Sequence, residues 1–267
     1  MDAKISVTNK CNAKCKTCPV WEYPGEHMDV DKFKLMWIKL MMHPSIHRVL
    51  LNNTGDMYIH PKRKELWEFI EKHHYKPIIM TTNAAAMDYV PDVDLIIISF
   101  NGGTKETYEH TTGLSFDKTV ARIKKFYPEI AKIHAEIHCL IWDGNEGTED
   151  ALKELWEDFP GRIRVSYKYD NQMKEDHTIE KHRKTKRVTC DYLSMLSVMP
   201  TGQVVSCAHD FGAKTDFGNV FTDSIDGIIW NDARKKKIME HIAQQYTGIC
   251  EKCNYNTATA GRFVYLK

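Results

Sequence analysis

Cys11, Cys15 and Cys18 stand in the string CNAKCKTC, three thiols within eight residues. Thiolates are soft ligands suited to zinc or to iron-sulfur clusters, and tetrahedral zinc and a cubane cluster both ordinarily take four protein ligands. A Cys-x3-Cys-x2-Cys run supplies three of them from one loop and leaves one position open. An open position is where a metal centre can bind a small molecule and do chemistry. Two other readings stand beside it at this level: a zinc site completed by His27 or a remote cysteine, and buried thiols that hold no metal.

Four further cysteines lie in the last third of the chain. Cys190 is followed by eleven residues, Gly202, four residues and Cys207, and then by the pair Cys250 and Cys253 in CEKC. Four thiolates close a coordination sphere, either as a zinc ribbon or as a cluster whose work is structure or electron transfer. Cys139 sits in an apolar, strand-like stretch and reads as a packed core thiol. The thirteen histidines include His60, His110, His138 and His209, the last beside Asp210. Singly, none of them carries an assignment.

At 267 residues the chain can bury a full core without help from disulfides. Its formal net charge of +1 gives no global field for nucleic acid or a membrane surface, so partners must be argued locally. Residues 1–10 lack the apolar core of a signal peptide, and the apolar run at Leu95–Ile98 is far too short to cross a bilayer. These features point to a cytoplasmic chain without a membrane partner, where cysteines are kept reduced and read as metal ligands first. The basic string KHRKTKR at 181–187 reads as a solvated linker, with a phosphate or nucleic-acid contact as the alternative.

The elements that must position these groups alternate between strand and helix. Strands are expected at Ile5–Thr8, His47–Asn52, Lys76–Thr82, Asp94–Phe100, Ile133–Trp142 and Arg162–Tyr169. Between them the apolar period predicts helices at Val30–Met42, Lys64–His73, Ser115–Tyr127 with Ser115 as N-cap, and Thr148–Phe159. The run Leu95, Ile96, Ile97, Ile98 has the composition of a strand buried on both faces. Six β/α units imply a parallel sheet with right-handed crossovers, an α/β fold of the partial TIM barrel (β/α)6 kind. The first cysteine loop then follows the first strand, at the C-terminal end where barrels place their sites. This barrel occupies residues 1–170, a polar basic linker 171–187, and a small C-terminal α+β domain 188–267 that carries the last four thiols, in which VMPTGQVVSCAHD is a hairpin turning at Thr201 and Gly202.

The cysteine triad and its place after an apolar strand resemble the radical S-adenosylmethionine (radical SAM) superfamily. That resemblance implies a 4Fe-4S cluster on Cys11, Cys15 and Cys18 whose open iron binds the amino and carboxylate groups of S-adenosylmethionine. The reduced cluster then cleaves the cofactor to a 5'-deoxyadenosyl radical. NNTGDMYIHP, from Asn52 to Pro61, is similar to the family's Gly-Gly-Glu element, with Thr54, Gly55 and Asp56 at the matching positions and Thr54, Asp56 and Met57 as departures from it. TTN at 81–83 and SFNG at 99–102 resemble the family's carboxylate and ribose contacts, making Asn83, Ser99 and Asn101 cofactor candidates. Ordinary turn chemistry accounts for the same residues equally well. An Arg often found before Gly113 is absent, and Thr17 stands where an aromatic residue usually covers adenine, a duty left to a side chain such as Trp21.

The C-terminal cysteines resemble the signature of the SPASM extension of radical SAM enzymes, in its shorter Twitch form. The resemblance implies a second 4Fe-4S cluster on Cys190, Cys207, Cys250 and Cys253, and an electron donor such as flavodoxin or ferredoxin. The expected activity is hydrogen abstraction from an unactivated C-H bond, of oxidoreductase or isomerase type. Only ten residues precede Cys11, so no leader-binding domain is expected, and this favours a small polar substrate: a sugar, aminocyclitol or nucleotide derivative. A ribosomal peptide or protein substrate, with a separate leader-binding partner, is the alternative. A non-enzymatic zinc module contacting nucleic acid through residues 181–187 is the competing class.

Overall fold

The computed structural model describes residues 1–52, 54–167, 190–251, 253 and 263–267. In chain order the elements are β1 (Asp2–Ile5), α1 (Val30–Met42), β2 (Arg48–Leu51), α2 (Arg63–Lys72), β3 (Ile78–Thr82), β4 (Leu95–Ser99), α3 (Lys105–Thr112), α4 (Phe116–Lys125), α5 (Tyr127–Ile130), β5 (His134–Ile141), α6 (Glu149–Leu155) and β6 (Arg162–Tyr167). The C-terminal part adds β7 (Leu196–Val198), β8 (Val204–Val205), α7 (Ile225–Ile229), α8 (Asp232–Ile242) and β9 (Phe263–Tyr265). The chain divides into two compact units, each discontinuous in sequence: residues 1–11, 20–80 and 189–252, and residues 12–19, 81–188 and 253–267. The basic string 181–187 lies outside the described residues.

In the first unit, β1 pairs in parallel with β2 (Ala3 opposite Val49) and β2 with β3 (Val49 opposite Ile78). On its other side β1 pairs in parallel with β7, Ala3 opposite Leu196, so a strand from the C-terminal third extends the sheet begun by the first residues. β7 and β8 form the expected hairpin, turned by Gly202 at φ 82°. α1 buries Phe33, Met36, Trp37 and Leu40, an i, i+3, i+4, i+7 stripe, and starts at Asp29, whose carboxylate accepts from Lys32 N. The first strand departs from expectation: it covers Asp2–Ile5 rather than Ile5–Thr8. Ser6 N still donates to Val198 O of β7, but residues 7 and 8 turn away, where Val7 O accepts from Met28 N and Thr8 bridges to His27.

In the second unit, β4, β5 and β6 are parallel neighbours and β9 closes the edge antiparallel to β6. β4 is not buried on both faces: Ile96 and Ile98 are buried, while Leu95, Ile97 and Ser99 are half-buried. α3 was not legible in KETYEHTT, whose composition is polar. It is made by a capping box between Thr104 and Thr107, an αL glycine at its end (Gly113, φ 68°), and Tyr108 stacked on Phe100 at 4.2 Å. Ser115 holds the N-cap position of α4 without a side-chain bond; Glu109 Oε1 instead accepts from Phe116 N at 3.0 Å. Thr148 likewise leaves the start of α6 uncapped, because its hydroxyl accepts from Gly103 N. α6 ends at Leu155, short of the expected Phe159.

Candidate functional site

The eight cysteines are not joined in disulfides. Cys11, Cys15, Cys18, Cys190, Cys207 and Cys253 are half-buried, and Cys250 and Cys139 are buried. Among the described residues, no three His, Cys, Asp or Glu side chains are drawn together as a metal-holding group.

In the first unit the chain leading to Cys11 is clamped along its length. Thr8 Oγ1 donates to Glu26 O at 2.7 Å and accepts from Lys10 N, while Asn9 accepts from Glu26 N at 2.5 Å and donates to Pro24 O. The loop after β2 lies directly on this segment: Asp56 N donates to Lys10 O at 2.9 Å. Gly55, at φ 72°, approaches so closely that a Cβ there would lie 2.3 Å from Thr8 O and 2.7 Å from Lys10 O. Glycine is thus demanded by the protein's own backbone at this place. Thr54 is buried, exchanging hydrogen bonds with Ser6 Oγ at 2.9 Å, and Asp56 caps the turn at Met57–Ile59 through Tyr58 N. Next to it His60 is neutral and fixed: Nε2 faces Met28 O at 3.0 Å, Nδ1 accepts from Lys62 N, and burial lowers its pKa. The expected zinc-completing His27 packs edge-on against His60 at 5.0 Å between ring centres.

In the second unit Cys15 sits between two backbone anchors. Lys14 N donates to Thr112 O and Lys16 N to Thr111 O, both at 2.9 Å, so the last turn of α3 holds the loop on either side of the thiol. A tight turn, Cys18 N to Cys15 O at 3.1 Å, sets the next thiol. Asn83 donates to Asn12 Oδ1 at 2.8 Å and accepts from Ala85 N, bracing the same loop from the end of β3. Sequence reasoning did not single out Asn12, Thr111 or Thr112. Their signal is weak, because it lies in backbone carbonyls and one amide pair.

Ser99 and Asn101 end β4. Asn101 Oδ1 accepts from Leu140 N at 2.9 Å and its amide reaches Ser99 Oγ at 3.4 Å, so this buried side chain stitches β4 to β5. Asn101→Ala is expected to destabilise the protein by about 1–3 kcal/mol, the cost of leaving a buried N-H unpaired. Asn101→Asp, which keeps the acceptor, should lose less. Denaturant midpoints check both, and an unmoved midpoint for Asn101→Ala would contradict the stitching role.

The C-terminal thiols show direct mutual influence. Burial pushes the Cys207 thiol up to about 12, and the negative charges of Cys250 and Cys190 push in the same direction. Burial thus keeps the Cys207 thiol protonated, and a cation or cluster near Cys190, Cys207 and Cys250 would favour the thiolate that burial disfavours. Cys253 belongs to the other unit. Asp210 is taken up locally, accepting from Lys214 N and from Thr215 N and Oγ1, which closes the loop after Cys207. His209 packs edge-on against Tyr192 at 5.4 Å. Cys139 is fully buried and burial raises its pKa, as fits a core thiol.

Residues 190–254 match the SPASM family, described as an iron-sulfur cluster-binding domain. No curated protein matches the chain in sequence. Among solved structures, Streptococcus suis SuiB bound to precursor peptide SuiA aligns with TM-score 0.69 at 11% identity, over 89% of this chain and 66% of SuiB. This chain thus spans about two thirds of SuiB. anSMEcpe with bound AdoMet aligns with TM-score 0.68 at 14% identity, over 95% of this chain and 87% of that one. BtrN in complex with AdoMet and 2-DOIA aligns with TM-score 0.57 at 15% identity, over 96% and 94%. The partial-barrel architecture is shared with SuiB and anSMEcpe, and the match at residues 190–254 adds an iron-sulfur cluster-binding domain model to it.

Proposed function

We propose that the protein is a radical SAM enzyme with two 4Fe-4S clusters. In this reading residues 1–170 form the catalytic barrel and residues 188–267 the Twitch-like domain. Cys11, Cys15 and Cys18 hold the catalytic cluster, and Cys190, Cys207, Cys250 and Cys253 the auxiliary one. Thr54, Gly55, Asp56, Asn83, Ser99 and Asn101 border S-adenosylmethionine, while their hydrogen bonds within the protein fix the loops that carry them. When bound, the reduced cluster and S-adenosylmethionine supply a 5'-deoxyadenosyl radical that takes a hydrogen atom from an unactivated C-H bond. The protein's part is to hold three thiolates on an anchored loop and to leave the fourth ligand position open. The observation that carries the reading is the combination of a three-thiol loop, one ligand short of closure, with a separate iron-sulfur domain match at 190–254 on a radical SAM fold.

For the substrate we favour a small polar molecule, oxidised through the auxiliary cluster or rearranged without net oxidation. Support comes from BtrN, bound to 2-DOIA, which this chain matches over 94% of its length. The second reading, peptide modification, is favoured by the higher TM-scores to peptide-bound SuiB and anSMEcpe, 0.69 and 0.67. A low-potential donor of the flavodoxin or ferredoxin kind would serve either. Among the described residues no helix is long and apolar enough to cross a membrane. The test is anaerobic: protein loaded with iron and sulfide and given dithionite should convert S-adenosylmethionine to 5'-deoxyadenosine and methionine. A loaded, folded protein that leaves the cofactor intact contradicts the reading.

A further inference from the structure

The string DARKKK places four cations in a row, Arg234 to Lys237, near the start of α8. Two of them find carboxylates on the helix itself, Lys235 with Asp232 at 3.1 Å and Lys237 with Glu240 at 2.6 Å, and Lys236 is exposed. Arg234 is different. It is only 5% exposed, its Nη1 donates to Ile229 O at 2.9 Å and its Nη2 to Leu193 O at 2.6 Å, and among the described residues no carboxylate pairs with it. Burial lowers its pKa, with no acidic neighbour to offset the effect. A guanidinium stays protonated in proteins, so the interior here holds a positive charge met only by carbonyl dipoles, which is unfavourable unless an anion stands near.

The local sequence fixes where this charge sits. Asn231 caps α8, its Oδ1 accepting from Ala233 N at 2.8 Å and from Arg234 N at 3.4 Å, which sets the first turn that carries Arg234. Leu193, whose carbonyl the guanidinium reaches, belongs to the single turn Asp191–Ser194 that directly follows Cys190 and leads into β7. That turn is closed by Met195 N donating to Tyr192 O at 3.1 Å and by Ser194 Oγ donating to Asp191 O at 2.6 Å. Lys4 Nζ stands 5.1 Å from the ring centroid of Tyr192, so a cation from β1 and one from α8 both meet the turn after Cys190. All of these residues lie in the first unit, with Cys207 and Cys250.

We propose that Arg234 is a positioning residue of the C-terminal thiol centre: it fixes the turn after Cys190 and keeps a positive charge in the interior that favours the reduced form of a cluster on these thiols. The inference rests on the reading that Cys190, Cys207, Cys250 and Cys253 hold a 4Fe-4S cluster. Four thiolates give such a cluster a net negative charge, one-electron reduction increases it, and net charge, hydrogen bonds and water exposure set the potential. A tether and a charge predict opposite results when the side chain is replaced. Loosening the turn admits water, which stabilises the more negative reduced form and raises the potential, whereas losing a buried cation lowers it.

The test uses the full chain carrying Cys15→Ala and loaded with iron and sulfide, so that only the C-terminal centre is expected to hold a cluster. It is titrated with dithionite against redox mediators and followed by electron paramagnetic resonance. In that background Arg234→Gln should move the midpoint to lower potential, the ratio of reduced to oxidised cluster at a fixed potential falling about ten-fold, the order expected of one charge acting through a protein interior. Arg234→Lys, which keeps the charge without the planar fork that reaches two carbonyls, should hold the original midpoint. A folded, four-iron Arg234→Gln protein with an unmoved or raised midpoint overturns the proposal. So does a lowered midpoint in Arg234→Lys, a result that stands even where the glutamine variant fails to fold. Cys15→Ala protein that binds no cluster removes the auxiliary-cluster reading and this inference with it. An intact cluster whose midpoint ignores Arg234 removes the inference alone.

Discussion

Cys15→Ala is expected to reduce formation of 5'-deoxyadenosine to the background of protein without iron, while the fold survives. Three ligands from one loop are the fewest that hold a cubane with a single open iron, so loss of one leaves no stable site for the cofactor. The loop itself does not need the thiol. Its flanking residues are tied to the end of α3 by Lys14 N to Thr112 O and Lys16 N to Thr111 O, bonds that alanine leaves untouched. Cys15 is only half-buried, so the denaturation midpoint of the iron-free variant should stay within about 1 kcal/mol of the parent. Unchanged cofactor cleavage by Cys15→Ala would overturn the assignment. A large loss of stability would show that the loop is a packing element.

Removing two of the proposed auxiliary ligands should separate the centres. Cys207→Ala combined with Cys253→Ala should lower bound iron from roughly eight to roughly four per chain, as expected for two four-iron clusters reduced to one. The loop after Cys207 retains its shape through Asp210 and Thr215, which are independent of metal. Such a variant should still cleave S-adenosylmethionine. If the auxiliary cluster accepts an electron from the substrate, oxidised product should be absent. Full product from a folded, four-iron variant would favour redox-neutral rearrangement.

The proposed ligand chemistry rests on the sequence because thiol spacing is local: a triad within eight residues needs no tertiary information. The alternation of strands and helices was legible for the same reason, and β2, β3, β4, β5 and β6 stand close to the expected places. What escaped depends on contacts between distant residues. β1 ends early because Val7 and Thr8 pair with residues near 28, and β7 joins the edge of β1 from almost 200 residues away. α3 escaped because its stability comes from a cap, a terminal glycine and one aromatic stack rather than from an apolar stripe. Among the cofactor candidates, Gly55 and Asn101 looked like turn or ligand residues. The structure adds a packing duty to each: close backbone approach to Thr8 and Lys10 for one, the β4 to β5 stitch for the other.

The central claim is that the N-terminal centre keeps an open iron, and its most direct measurement is electron paramagnetic resonance of the reduced Cys207→Ala, Cys253→Ala protein, in which only that centre remains. Addition of S-adenosylmethionine should change the g-values of the reduced cluster, because the cofactor's amino and carboxylate groups become ligands to the iron the protein leaves open. A reduced four-iron spectrum unaltered by saturating S-adenosylmethionine would contradict the account.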